Sequence, residues 1–478
     1  MKSLVKAFFL FLLTSPAARG ASTVALVLQH VTVIDGTGAA PKPDQTVVIT
    51  AGRITDIGPA SKIKFDKTAR VIHGEGKYLI PGLWAMHVHI AGANADPSWS
   101  KDVLLPLLLA NGITGVRDMG GDLEALLSWK RDIESGELLG PHIVAAGPWL
   151  AGSGKKTPEQ FPVANADEAR AAVRELKKRG ADFIKVISLP SREAFFAVAD
   201  EARKQGISFV GHLPPEVSAA EASDAGMHGI EHLYYRNFAL SVSSREEELR
   251  QRLAEAMKKR DSSDEEKIML EAESSYSVEK AAALWKTLKQ NGTWVTPTLA
   301  SLEITTHPER WDSNDPHLAF VPPGLAKQWR ASIDDQSVKD SAASQLRQSS
   351  SDLYLTSEMH AASVSLLAGS DSLDPFVFPG LSLHQELAQL VRAGLTPMES
   401  LQTATQGAAQ FLGWDMKLGT IERGKIADGV LLKANPLERI SNAREIAAVI
   451  LGGRYLDTAA LGKMLSKARA AAQAVKSK

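Results

Sequence analysis

The chain is 478 residues long, enough for one large domain and a smaller companion with an ample apolar core. Its 54 Lys and Arg nearly balance its 55 Asp and Glu, so no excess charge argues for nucleic acid or an anionic membrane as partner, and a small-molecule substrate is the expectation. Cysteine is absent, which excludes disulfides, thiolate catalysis and thiolate-held zinc and leaves His, Asp, Glu and modified Lys as ligands.

Residues 1–20 read as a secretory signal peptide. Lys2 and Lys6 give positive charge, Ala7-Phe-Phe-Leu-Phe-Leu-Leu13 the apolar stretch, and Ala18-Arg-Gly20 a small-x-small cleavage site. The apolar stretch falls far short of the roughly 20 residues that span a bilayer. The expectation is an exported protein, periplasmic or extracellular, with no membrane span once the leader is removed.

Short β-branched runs separated by Gly, Pro and Asp follow over 21–80, predicting the first part of a small β domain. From residue 81 to 413, apolar runs alternate with helical stretches, as βα units do. Eight candidate strands lie at Leu83–His89, Ile113–Arg117, His142–Ala146, Phe183–Ile187, Phe209–His212, Gly229–His232, Trp294–Thr298 and Ser365–Asp371. Such a series predicts a (β/α)8 TIM barrel. Strand patterning returns over 414–457 in runs too few for a separate domain, so the barrel is expected to be inserted in a small β-sandwich built from both chain ends. An Ala- and Lys-rich tail, 458–478, reads as a surface helix that frays. Long connections at 237–291 and 300–353 are candidate lids or oligomer contacts, and Trp311 and Trp329 tip the second toward pocket lining.

The chemistry concentrates at strand ends. His87 and His89 are two residues apart on one strand, so both imidazoles face one side and can reach one metal ion. Lys185, His212, His232 and Asp371 each lie near the C-terminal end of another inferred strand, and these ends converge on one mouth. Four residues along a strand separate His228 from His232 by about 13 Å, so only one reaches the mouth; His232 ends the strand and His228 reads as a core residue. Arg117, Tyr234, Tyr235 and Arg236 are candidates for a substrate carboxylate, with His142 a further candidate. No Gly-x-Ser-x-Gly elbow supports a serine hydrolase.

The motif Pro81-Gly-Leu-Trp-Ala-Met-His-Val-His, the segment Gly112-Ile-Thr-Gly-Val-Arg-Asp118, the closing Ala427-Asp-Gly-Val-Leu-Leu432 and the six strand-end positions in order resemble the metal-dependent amidohydrolases, in the branch with imidazolonepropionase and the exported Xaa-Pro and Xaa-Arg dipeptidases. The resemblance spans nearly the whole mature chain. It implies two divalent metal ions, usually zinc. His87, His89 and Asp371 would hold the first, His212 and His232 the second, and an N6-carboxylated Lys185 would bridge them. It also implies hydrolysis of an amide C–N bond by metal-activated hydroxide, with Asp371 moving the proton. A dipeptide or N-acyl amino acid is the expected substrate. A cyclic amide, a lactone or a phosphotriester is the alternative on the same centre, and a non-catalytic barrel is disfavoured because all six positions are filled.

Overall fold

The computed structural model describes residues 24–475 except 93–96, 153–154, 188–190, 234–236 and 260. The expected leader and Tyr234, Tyr235 and Arg236 lie outside the described residues.

Seven of the eight inferred βα strands form where their β-branched and apolar residues place them, at Leu83–Val88, Ile113–Asp118, His142–Ala145, Ile184–Val186, Phe209–Gly211, Gly229–Glu231 and Trp294–Thr296. All the pairings among them are parallel. The eighth segment forms no regular ladder, only isolated bridges, Val295 to Leu366 on one side and Val88 to Ser372 on the other. Backbone bonds carry the contact onward: Leu367 N to Val295 O (2.9 Å), Met86 N to Ala368 O (2.8 Å) and Asp182 N to Ala145 O (2.8 Å). A short strand missed in the sequence, Trp149–Ala151, pairs with Gln160–Pro162 and with Val186. Helices separate the strands, giving a TIM-barrel-like α/β fold.

Two glycines allow the strand ends to approach. A Cβ on Gly211, whose φ is +139°, would lie 1.9 Å from the Val186 carbonyl oxygen, and one on Gly369 would lie 2.5 Å from the His87 Cβ. Both adjoin site residues, so the close approach helps set the positions of His87 and His212.

Eight strands drawn from both ends of the chain share one hydrogen-bonded sheet, in which Gly429–Leu432 runs antiparallel to Tyr78–Pro81. Leu28, Val31, Val47 and Ile54 from the start of the chain pack in one apolar cluster with Leu431 and Ile450 from its end. This explains why the late strand runs cannot stand alone: their buried faces need the early ones.

The long connections differ from expectation. Trp311 and Trp329 do not line the site cavity; they stack on Phe376 (4.9 and 5.9 Å between centroids), behind the loop that follows Asp371. Within the tail, Thr458–Ala474 is the helix expected and it is docked: the Gln473 side chain donates to the Ala319 carbonyl (3.0 Å), and Leu461, Ala468 and Ala472 are buried, while 476–478 lie outside the described residues. No helix among the described residues is long and apolar enough to cross a membrane.

Candidate metal centre and active site

His87, His89, Lys185, His212, His232 and Asp371 line one cavity of about 250 Å³, together with Gly92, Trp149, Ile187, Ser372, Leu373 and Asp374. The six residues come from five separate strand ends, which the fold brings together. A ligand nitrogen or oxygen from each of His87, His232 and Asp371 falls within 4.8 Å of the others.

Three histidines are oriented alike. The Nδ1 atoms of His87, His89 and His232 bond respectively to Glu231 Oε2 (2.8 Å), the Gly120 carbonyl (3.0 Å) and Thr298 Oγ1 (2.7 Å). Their Nε2 atoms all turn to Asp371, at 3.5, 3.3 and 3.5 Å. Fixing one ring nitrogen so that the other faces a common point is how metal-binding imidazoles are held. His212 joins the group edge-on to His232, with ring centroids 5.0 Å apart.

The backbone at the site is strained. His232 (φ 63°), Thr298 (φ 52°) and Asp371 (φ 48°) all occupy the left-handed region, unfavourable for any residue but glycine and most of all for β-branched Thr. Each costs on the order of 1–3 kcal/mol and persists only where surrounding contacts impose it. For Thr298 those contacts include its bond to His232 and the turn behind it, where the Ala300 N–H donates to buried Glu386 (2.7 Å).

Electrostatics prepare the donors. Burial, reinforced by nearby Lys185, pushes His87 down to about 4, and burial likewise holds His212 and His232 well below the ordinary imidazole value, so all three are neutral at pH 7. Burial opposes ionisation of Asp371, yet His87, His232 and His89 around it keep its pKa well below the usual carboxylate range. Burial also pushes the Lys185 amine down to about 8. Two buried nitrogens, His87 Nε2 and Lys185 Nζ, have no hydrogen-bond partner among the described residues. Buried polar atoms left without partners are uncommon. Neutral imidazoles, an ionised carboxylate and orphaned nitrogens directed at one cavity fit a divalent metal.

Two expected substrate contacts lie elsewhere. Arg117 is fully buried beneath the cavity, where it donates to Glu231 Oε1 (2.7 Å), Thr296 Oγ1 (3.2 Å) and the Met86 carbonyl (2.6 Å). Its charge answers a buried acid, so it does not face substrate. His142, at the start of its strand and hence at the far end of the barrel, bonds to Asp428 (2.8 Å) and stacks on Trp84 (6.2 Å). His228 is the core residue expected, bonded to the Phe411 carbonyl (3.2 Å). Glu231 and Thr298 are functional residues that the sequence alone does not single out. Glu231 left a signal, an acid inside an otherwise apolar strand that must find a buried cation; Thr298 left none, because its role depends on a turn.

The amidohydrolase family profile matches residues 78–456. The chain belongs to the amidohydrolase family. No curated protein sequence matches this amidohydrolase. Among solved structures it is similar to a Xaa-Pro dipeptidase with methionine bound in the active site (21% identity, 91% of this chain and 100% of that one, TM-score 0.67). It is also similar to a prolidase complexed with N-methylphosphonate-L-proline (21%, 91% and 100%, 0.66) and to a bottromycin amidohydrolase (22%, 93% and 90%, 0.66). These likenesses bear on the fold, in agreement with the TIM-barrel-like architecture and the metal-dependent amidohydrolase superfamily.

Proposed function

We propose that this amidohydrolase is exported and hydrolyses the amide C–N bond of a dipeptide or an N-acyl amino acid at a binuclear zinc centre. The observation that carries the reading is the convergence of six donor residues on one cavity, three imidazoles with Nε2 turned to a single ionised Asp371. The dipeptidase and prolidase among the similar structures favour peptides over lactones or phosphotriesters. Export rests on the leader-like residues 1–20. The same reading takes the parallel strands as a closed eight-stranded barrel inserted in a β-sandwich.

In this account His87, His89 and Asp371 would hold one metal, His212 and His232 the other, and an N6-carboxylated Lys185 would be a ligand to both. Its buried, unpartnered amine supports the assignment: with a pKa of about 8, roughly a tenth is neutral at pH 7, and only the neutral amine captures carbon dioxide. When bound, the metal pair lowers the pKa of an attacking water and polarises the scissile carbonyl. Asp371, ionised and 17% exposed at its side chain, receives the proton on a carboxylate oxygen and delivers it to the departing amine. Glu231 and Thr298 keep the imidazoles aimed while this happens.

Purified protein assayed against dipeptides, N-acyl amino acids, cyclic amides, lactones and phosphotriesters tests the proposal. Turnover of linear amides by at least tenfold over the other classes is expected, and a preference for esters or phosphotriesters would overturn it.

A further inference from the structure

Among the described residues, Asp374 is the one cavity-lining carboxylate that the account above does not use. It stands three residues beyond Asp371 on the loop buttressed by Phe376 and Phe378, whose rings pack against Trp329. The Ser301 hydroxyl donates to its Oδ2 at 3.2 Å. Among the described residues, no other hydrogen bond reaches its carboxylate and neither lysine nor arginine pairs with it. Burial, with Asp371 nearby, pushes its pKa up to about 6, so an occupant bearing positive charge would relieve an unfavourable charge. Ser301 fixes the carboxylate from behind and leaves the other oxygen for a donor.

In a dipeptide the free α-amino nitrogen is two covalent bonds from the scissile carbonyl carbon. A group that recognises the ammonium must therefore sit in the wall of the same cavity as Asp371. We infer that Asp374 binds the α-ammonium group of the substrate and makes the enzyme selective for free-amino dipeptides over N-acylated amino acids. The inference deepens the amide-hydrolase reading and rests on it for the identity of the substrate.

The test compares wild type with Asp374→Asn on alanyl dipeptides and their N-acetyl counterparts. Loss of one charge-assisted hydrogen bond predicts a fall in kcat/KM of about ten- to a hundredfold on the free amines, with less than threefold change on the acetylated series. An equal fall on both series, or none on either, overturns the inference. Calorimetric binding of L-alanine and of propionate, which lacks the amine, separates this failure from failure of the hydrolase reading. L-Alanine should bind Asp374→Asn at least tenfold more weakly than wild type while propionate binds both alike, whatever amides are turned over. Equal affinity of L-alanine for both proteins would refute the role of Asp374. Asp374→Ser replaces the asparagine variant if that one does not fold.

Discussion

Replacing Glu231 by glutamine removes a negative charge from a place where both neighbours are donors. Arg117 Nη2 lies 2.7 Å from one carboxylate oxygen and His87 Nδ1 2.8 Å from the other, and all three side chains are fully buried. A glutamine offers one carbonyl oxygen and one NH2, so whichever way it turns, a donor faces a donor. Arg117 is then a buried cation without a counter-charge, since its remaining bonds go to a hydroxyl and a carbonyl. Breaking a buried pair by altering one partner costs about 3–5 kcal/mol. His87 also loses the bond that aims its Nε2, and loss of such a support weakens metal binding by roughly ten- to a hundredfold. Equilibrium denaturation reads the first effect, and metal titration against a competing chelator reads the second. Glu231→Gln with an unchanged denaturation midpoint and unchanged metal affinity would refute the argument that Arg117, Glu231 and His87 form one supporting chain.

Other outcomes follow from the same geometry. Asp371→Asn should keep the fold and at least one metal while turnover falls about 10²-fold or more, the range for a positioned acid–base group; near-normal turnover would remove Asp371 from the proton path. Lys185→Ala should lose most activity and regain part of it with added short carboxylic acids, which can replace a bridging carbamate; full metal content and turnover without additive would show that Lys185 is not the bridge. In the metal-free protein His87, His212 and His232 should contribute stability that is present above pH 6.5 and lost as pH falls toward 4. His87 drops to about 4 on folding, and His212 and His232 also fall, so these three imidazoles take up protons on unfolding in this window, while Glu386 and Asp374, pushed up by burial to about 8 and about 6, release them and oppose the trend. Imidazole NMR titrations of the folded protein check it, and protonation of these three histidines near pH 6.5 would contradict the neutral-imidazole assignment.

What the sequence disclosed follows from the range of the interactions involved. Seven strands were visible because a run such as Ile113–Asp118 is buried along its whole length, and burial writes itself into composition. The eighth, ending in Asp371, is read from the same patterning but lacks a regular ladder. The six donors were legible because strand parity and strand ends fix where such side chains point. Arg117 was misread because an arginine at a strand end looks the same whether it meets a substrate or a buried acid 114 positions away. Thr298 and Asp374 escaped notice because a left-handed turn and a buttressed loop arise from packing between distant segments. Trp311 and Trp329 suggest pocket lining from sequence but pack on Phe376 instead, since composition reports that an aromatic packs and not what it packs on.

The most direct test of the central claim is metal content measured alongside amide turnover on the same preparation. The account predicts two divalent ions per chain, hydrolysis lost on chelation and restored on readdition, and loss of metal in His87→Ala and in His232→Ala. Undiminished amide hydrolysis by protein stripped of divalent metal, or full metal content in a variant lacking both histidines, would contradict it.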